Sequence, residues 1–231
     1  MELNEERTVL LAGASGDTGR RVLYLLGRSD LDVRALTSEP EKASRLEHAG
    51  ADEVMVGDLF DRADAERAVE GVDIVLTAVG SDPREVLLAD ELVDGVGNRN
   101  LVESAADAGV EAIVMESSLG VDGDRASAMA RFFGLAIGPV LDAKSEAERS
   151  IRESGLRYTI IRPGLLTTLS ATDDVQVAPA GAGLWGTVSR ADVARLLVAA
   201  PFTPDAAGRT LEVVRNPLLR ERNGRIDWQH P

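Results

Sequence analysis

The 231-residue chain contains no cysteine. That excludes disulfides and thiolate metal sites. Histidine occurs only as His48 and His230, far apart and at no ligand spacing, so both read as surface side chains. Aromatics make up 3% of the residues, and no apolar run is long enough to span a bilayer. The opening stretch "MELNEERTVLLAG" lacks the basic-then-apolar order of a secretory signal. These absences lead us to expect a soluble, cytoplasmic protein with no membrane partner. Lysine is almost missing as well: Lys42 and Lys144 stand alone beside arginine among the 25 basic residues.

Acid is abundant. Aspartate and glutamate number 39, and the net charge is −14. A phosphate backbone would be repelled, which excludes nucleic acid as a partner. An acidic, lysine-poor surface resembles that of proteins from extreme halophiles, where salt screens self-repulsion. It also draws attention to each lysine that is present.

At 44% hydrophobic, the chain can build one sizeable core. We find no repeat, low-complexity tract or linker, and expect a single domain over 1–231. Apolar runs predict strands at 8–14, 33–38, 52–58, 72–80, 111–118, 158–164 and 210–214. Helical patterns fall between them at 17–29, 39–50, 62–71, 95–109, 141–155 and 189–201, several ending in glycine. Near-continuous apolar strands separated by helices imply a parallel sheet covered on both faces. The acidic residues of "PREVLLADELVDGVGNRN" read as a solvated face. The stretch 165–186, rich in Gly, Ala, Thr and Asp, breaks the alternation just after the sixth strand. It reads either as a substrate cover or as a plain surface connection.

The first strand runs into "GASGDTG", with Gly13, Gly16 and Gly19 opening a helix. This is the context of a dinucleotide fingerprint. Gly13 allows the tight turn, Gly16 lets backbone amides approach a pyrophosphate, and Gly19 allows close helix–strand packing. The helix N-terminus offers unpaired N–H donors and partial positive charge. The predicted fold class is therefore α/β, a Rossmann-type doubly wound parallel sheet. Its core spans about 6–164, with a small C-terminal substrate-side region over about 165–231. The second strand ends in Thr37 and Ser38 rather than the carboxylate usual for NAD. Hydroxyls there, with Arg20, Arg34 or Lys42 nearby, favour NADP; the following Glu39 argues the other way and keeps NAD open.

Together, "GASGDTGR", "VGDLFD", "NLVESAADAGVEAIVMESSLGVD", "AKSEAERSIRESGLRYTIIRPGLLT" and "SRADVA" resemble the NAD(P)-binding atypical short-chain dehydrogenases. The similarity is to the NmrA-like group with its flavin- and biliverdin-reductase relatives, and it runs from about Thr8 to about Val214. The tail from Arg215 is outside it. The resemblance implies that Gly13, Ser15, Gly16, Asp17 and Thr18 line the pyrophosphate loop. It places Asp58 and Leu59 beside the adenine, and Ala78, Val79 and Gly80 beside the adenosine ribose and phosphates. It puts Ser117 and Ser118 near the nicotinamide, Lys144 on the nicotinamide ribose, and Pro163, Gly164 and Leu165 over the nicotinamide ring.

One element of the standard machinery is missing. Short-chain dehydrogenases pair Tyr and Lys four residues apart on one helix face. Here Val140 precedes Lys144 by that spacing, and the tyrosines are Tyr24 and Tyr158. Two readings follow. One is an NADPH-dependent oxidoreductase of a small carbonyl, flavin or quinone-like molecule, with Lys144 and Ser118 as the catalytic candidates and Ser118 or a relayed water giving the proton. The other is a non-catalytic NADP(H) sensor of the NmrA type. A nucleotide-sugar epimerase is disfavoured by the same missing Tyr. Without the resemblance, Lys144 reads as a surface ion pair with Glu148, Ser118 as a strand-end hydroxyl and Asp58 as a turn cap. The sequence leaves the acceptor open and is compatible with a monomer or homodimer.

Overall fold

The computed structural model describes residues 7–81, 86, 91–121, 138–172, 174–217 and 226–231. Each predicted strand and helix forms; most have shorter ends, while the helix predicted at 141–155 begins earlier, at Gly138, and the strand predicted at 210–214 extends to Arg209–Arg215. Strands β1 (Thr8–Ala12), β2 (Asp32–Thr37), β3 (Glu53–Val56), β4 (Ile74–Thr77), β5 (Ala112–Glu116) and β6 (Arg157–Pro163) alternate with helices. Those helices are α1 (Gly19–Leu26), α2 (Ala43–His48), α3 (Arg62–Val69), α4 (Val96–Ala108) and α5 (Gly138–Glu153). Three short strands follow, β7 (Leu165–Thr167), β8 (Val175–Pro179) and β9 (Thr187–Ser189), then α6 (Arg190–Ala199) and β10 (Arg209–Arg215).

The main sheet has the order β3-β2-β1-β4-β5-β6-β10-β8. Every pairing is parallel except that of β8, which runs antiparallel to β10 at the edge. Part of 165–186 is therefore sheet, not an open connection. Its Val175–Pro179 run pairs with β10 from Val175↔Arg215 to Pro179↔Leu211. Pairing β7 with β9 makes a second, two-stranded sheet. The alternation that marks β8 is too short to stand out among the surrounding small residues.

Period-two alternation sorts the strands onto two cores. Val9 and Leu11 of β1 pack with Val22, Leu23 and Leu26 of α1 and with Val193, Ala194 and Leu197 of α6. Leu10 and Ala12 point the other way, onto Ala65, Ala68 and Val69 of α3, Leu101 and Ala105 of α4, and Ala147 and Ile151 of α5. Covering both faces explains why the strands read as unbroken apolar runs. The strand order reverses between β1 and β4, which opens a crevice at the carboxyl edge where folds of this type bind ligands. Past β10 the chain returns to the sheet: Ile226 packs on Ala206 and Leu211 with Trp228 against the same cluster, and the Gln229 amide donates to Thr203 Oγ1 at 3.0 Å. Among the described residues, no helix is long and apolar enough to cross a membrane.

Candidate functional site

The loop after β1 is shaped by backbone contact. Gly13 has φ +77°. A Cβ there would lie 2.6 Å from the Ala78 carbonyl oxygen, and one on Gly19 would lie 2.0 Å from the Gly13 carbonyl oxygen. Both positions therefore need glycine, for the reasons the spacing suggested. The Gly16 amide donates back to Gly13 O at 3.1 Å and tightens the turn. The amides of Asp17 and Thr18 have no protein acceptor among the described residues. They sit at the N-terminal end of α1, where the helix leaves donors open.

At the end of β2, Thr37 Oγ1 accepts the Glu39 amide at 3.2 Å. Lys42 pairs with the Glu39 carboxylate, which tempers the repulsion that Glu39 would exert on a phosphate. The other two expected cations are used elsewhere. Arg34 bonds Glu53 and the carbonyls of Ala68 and Glu70, and Arg20 bonds Asp17 and the Ser15 carbonyl. Neither lines the cleft. Asp58 caps its turn, as the plain reading held, with Oδ1 accepting the Phe60 amide at 3.0 Å. Asn100 holds this wall by donating to Leu59 O at 2.8 Å.

The other end of the cleft is built from buried charge. Lys144 is 8% exposed. Its Nζ lies 3.0 Å from Asp94 Oδ1 and 3.2 Å from the Glu116 carbonyl oxygen. Glu148 is therefore not its partner. Asp94 is fully buried, so this acid of "PREVLLADELVDGVGNRN" is not on a solvated face; residues 82–85 and 87–90 lie outside the described residues. Asp94 Oδ2 accepts the Ser81 amide at 2.7 Å. Asn98 steadies the same turn, donating to Asp94 O at 2.9 Å and accepting from Thr77 Oγ1 at 2.6 Å. Its oxygen and amide thus serve the fold rather than a ligand.

Glu116 ends β5 on the glycine-loop side and accepts from Thr18 Oγ1 at 3.1 Å. Burial pushes its carboxyl above the usual range. Lys144, the Thr18 hydroxyl and Arg190 pull it back, while Asp94 adds to the rise. Behind it, fully buried Glu148 accepts from Ser117 Oγ at 2.5 Å and from Arg162 Nε and Nη2 at 2.8 and 2.6 Å. Arg162 is itself 2% exposed, so this two-pronged pair fixes α5 against β6. The Ser117 hydroxyl is consequently turned toward Glu148 rather than offered to a ligand.

All of these elements face one cleft of about 1170 Å³. It is lined by Gly13, Ser15, Gly16, Asp17, Thr18, Thr37, Ser38, Asp58, Leu59, Ala78, Val79, Gly80, Ser117, Ser118, Lys144, Pro163, Gly164 and Leu165. The residues singled out in the sequence are thus brought together. Val140 lines it too, and no tyrosine does. Tyr24 is 54% exposed on α1 beneath the Arg28 guanidinium, and Tyr158 packs on the second core. Ser118 Oγ donates to Leu119 O at 3.1 Å. Sequence reasoning missed Asp94, Glu116, Trp185 and Arg190, which share the lining. Glu116 left a signal, an acid closing an apolar strand. The Lys144–Asp94 pairing left none, since its members are remote in sequence.

A protein-family model described as NAD(P)H-binding matches residues 13–204. Sanguinarine reductase of Eschscholzia californica is 30% identical, over 93% of this chain and 91% of its own. The uncharacterized sugar epimerase YhfK of Bacillus subtilis (strain 168) is 32% identical, over 89% of this chain and 92% of its own. Among solved structures, ChuY, an anaerobillin reductase from Escherichia coli O157:H7, superposes with a TM-score of 0.76 at 25% identity, covering 91% of this chain and 98% of that one. These likenesses agree with the resemblance to atypical short-chain dehydrogenases.

Proposed function

The chain belongs to the family of NAD(P)H-binding proteins, and from that premise we propose an NAD(P)H-dependent oxidoreductase acting on a small carbonyl, flavin or quinone-like acceptor, with NADPH preferred. The observation that carries this reading is Lys144, held by Asp94 and the Glu116 carbonyl in the same cleft as the glycine loop. A lysine in so acidic and lysine-poor a chain, buried and aimed into a cleft, is a costly placement for a purely structural contact.

The residues present fit a dinucleotide. The glycine loop can turn this tightly because Gly13 and Gly19 lack the Cβ atoms that would strike the Ala78 and Gly13 carbonyls, and the open amides of Asp17 and Thr18 suit a pyrophosphate. Thr37, Ser38 and Lys42 offer two hydroxyls and a cation at the far end, which supports the 2′-phosphate of NADP. Asp58 offers an acceptor to the adenine amino group. An ammonium has three donors, of which Asp94 and Glu116 O engage at most two; the remainder suits ribose hydroxyls. When bound, the nicotinamide supplies the hydride. With Val140 in the usual Tyr position, the proton is assigned to Ser118 Oγ, directly or through a water, once its hydroxyl turns from Leu119 O. The reductase names of two relatives support this direction.

Val140 also favours the second reading, a sensor that binds the cofactor without turnover. Calorimetric titration with NADP+, NADPH, NAD+ and NADH in about molar KCl, to screen the net charge, tests both. Binding of NADPH above NADH followed by acceptor-dependent NADPH oxidation is expected. NADH preference overturns the cofactor assignment, and unequal binding of oxidised and reduced forms with no turnover selects the sensor.

A further inference from the structure

We propose that Trp185 is the stacking platform of the acceptor, and that the acceptor is a flat, uncharged ring system rather than a phosphorylated or small aliphatic one. This rests on the reading above and sharpens it.

The chain has only two tryptophans. Trp228 packs on the core, whereas Trp185 is 67% exposed while lining the cleft. An exposed indole on the lining of a cleft offers a ring face to a ligand. The backbone under it is fixed. Leu165 N donates to Gly186 O at 3.0 Å, and a Cβ on Gly164 would stand 2.3 Å from that same oxygen. Trp185 is thereby tied to the end of β6, next to Leu165, itself 60% exposed.

Among the described residues, Leu119, Val140, Leu141, Leu165, Leu166 and Trp185 give this part of the lining an apolar character. Beside them Ser118 has a hydroxyl that is not turned to Glu148; it donates to Leu119 O, and turned about its C–O bond it suits a single carbonyl oxygen. Among the described residues, the cations lining the cleft go to the cofactor or its loop in the reading above: Lys42, beside Glu39, to the 2′-phosphate; Lys144, beside Asp94, to the ribose; and Arg190 stands 4.0 Å from Asp17 of the glycine loop. A phosphate on the acceptor would find no partner at this apolar end among the described residues, against a chain of net charge −14. An aliphatic ketone would leave the indole uncovered. A conjugated ring satisfies both conditions by lying on the indole face.

The test uses protein saturated with NADP+, so that binding is read without turnover. Equilibrium dialysis measures affinity for menadione, 9,10-phenanthrenequinone and FMN with the wild type, Trp185→Phe and Trp185→Ala, alongside NADP+ affinity of each. The two quinones are expected to bind the wild type and FMN not to. Trp185→Ala should weaken the quinones about tenfold and Trp185→Phe no more than about threefold, with NADP+ affinity unchanged. Equal quinone binding by Trp185→Ala overturns the platform. Tighter binding of FMN than of either quinone overturns the uncharged acceptor, as does a wild type that binds neither quinone. Sedimentation showing a wild-type dimer that Trp185→Ala dissociates assigns the indole to a second copy instead, and overturns the proposal. Failure of the wild type to bind NADP+ is a separate result, which removes the underlying reading first.

Discussion

The two ends of the cleft are made of different material. The glycine-loop end is backbone: a left-handed glycine, two close approaches and two open amides. The Lys144 end is side-chain charge taken out of water, with Asp94, Glu116, Glu148 and Arg162 all buried. A backbone site is damaged by adding an atom. A site of buried charge is damaged by taking one away, because the partner left behind has no water to turn to. The first is set by local sequence, the second only by the assembled fold.

Substitutions sharpen that contrast. Arg162→Met takes the fork from buried Glu148 and leaves it Arg152 and the Ser117 hydroxyl, so it should cost about 3 kcal/mol in urea unfolding, a large share of the stability of many domains. Near-wild-type stability would mean the pair does not pin α5. Lys144→Ala should lower acceptor-dependent NADPH oxidation by about a hundredfold. Lys144→Arg should not restore it, since a planar guanidinium cannot replace a compact ammonium between Asp94 and Glu116. Full rescue by arginine would reduce Lys144 to a mere charge. At the other end, Gly13→Ala should weaken NADP+ binding about tenfold and cost about 1–3 kcal/mol, from strain at positive φ and the close Ala78 carbonyl. Unchanged calorimetry would show the loop to be more pliant than its contacts imply.

Two smaller effects probe charge alone. Glu116 holds its proton more tightly folded than unfolded. As pH climbs from the ordinary carboxyl range toward the raised folded value, the unfolded chain releases a proton the folded chain keeps, so stability falls. Glu116→Gln lacks that loss; its stability relative to wild type should grow with pH over that window in urea titrations. Parallel profiles would contradict a raised Glu116. Lys42→Ala should shrink the preference for NADPH over NADH by a few-fold only, since the ammonium is partly exposed and shared with Glu39.

The glycine end was legible because its logic is local. Gly13 and Gly19 announce a turn and a close contact within a few residues, and the parallel sheet follows from apolar runs between helices. The charged end was only half legible. Lys144 stood out in a lysine-poor chain, yet its nearest sequence partner, Glu148, belongs to Arg162. Its true partner, Asp94, lies in a stretch whose acidity suggested solvent. Local pattern cannot tell a solvated acid from one that another helix will cover. Trp185 had a compositional signal, an indole in a Gly- and Ala-rich stretch where aromatics are scarce, but its place beside Leu165 depends on the contact between Gly164 and Gly186.

Lys144 and Glu148 stand one turn apart on α5, one aimed into the cleft and the other locked to Arg162. The helix works as a key cut with two teeth at a fixed phase. Inserting or deleting one residue between them would rotate one tooth past the other by about 100°, so that seating either charge would expel the other. The four-residue interval is thus closed to the insertions and deletions by which lineages usually drift.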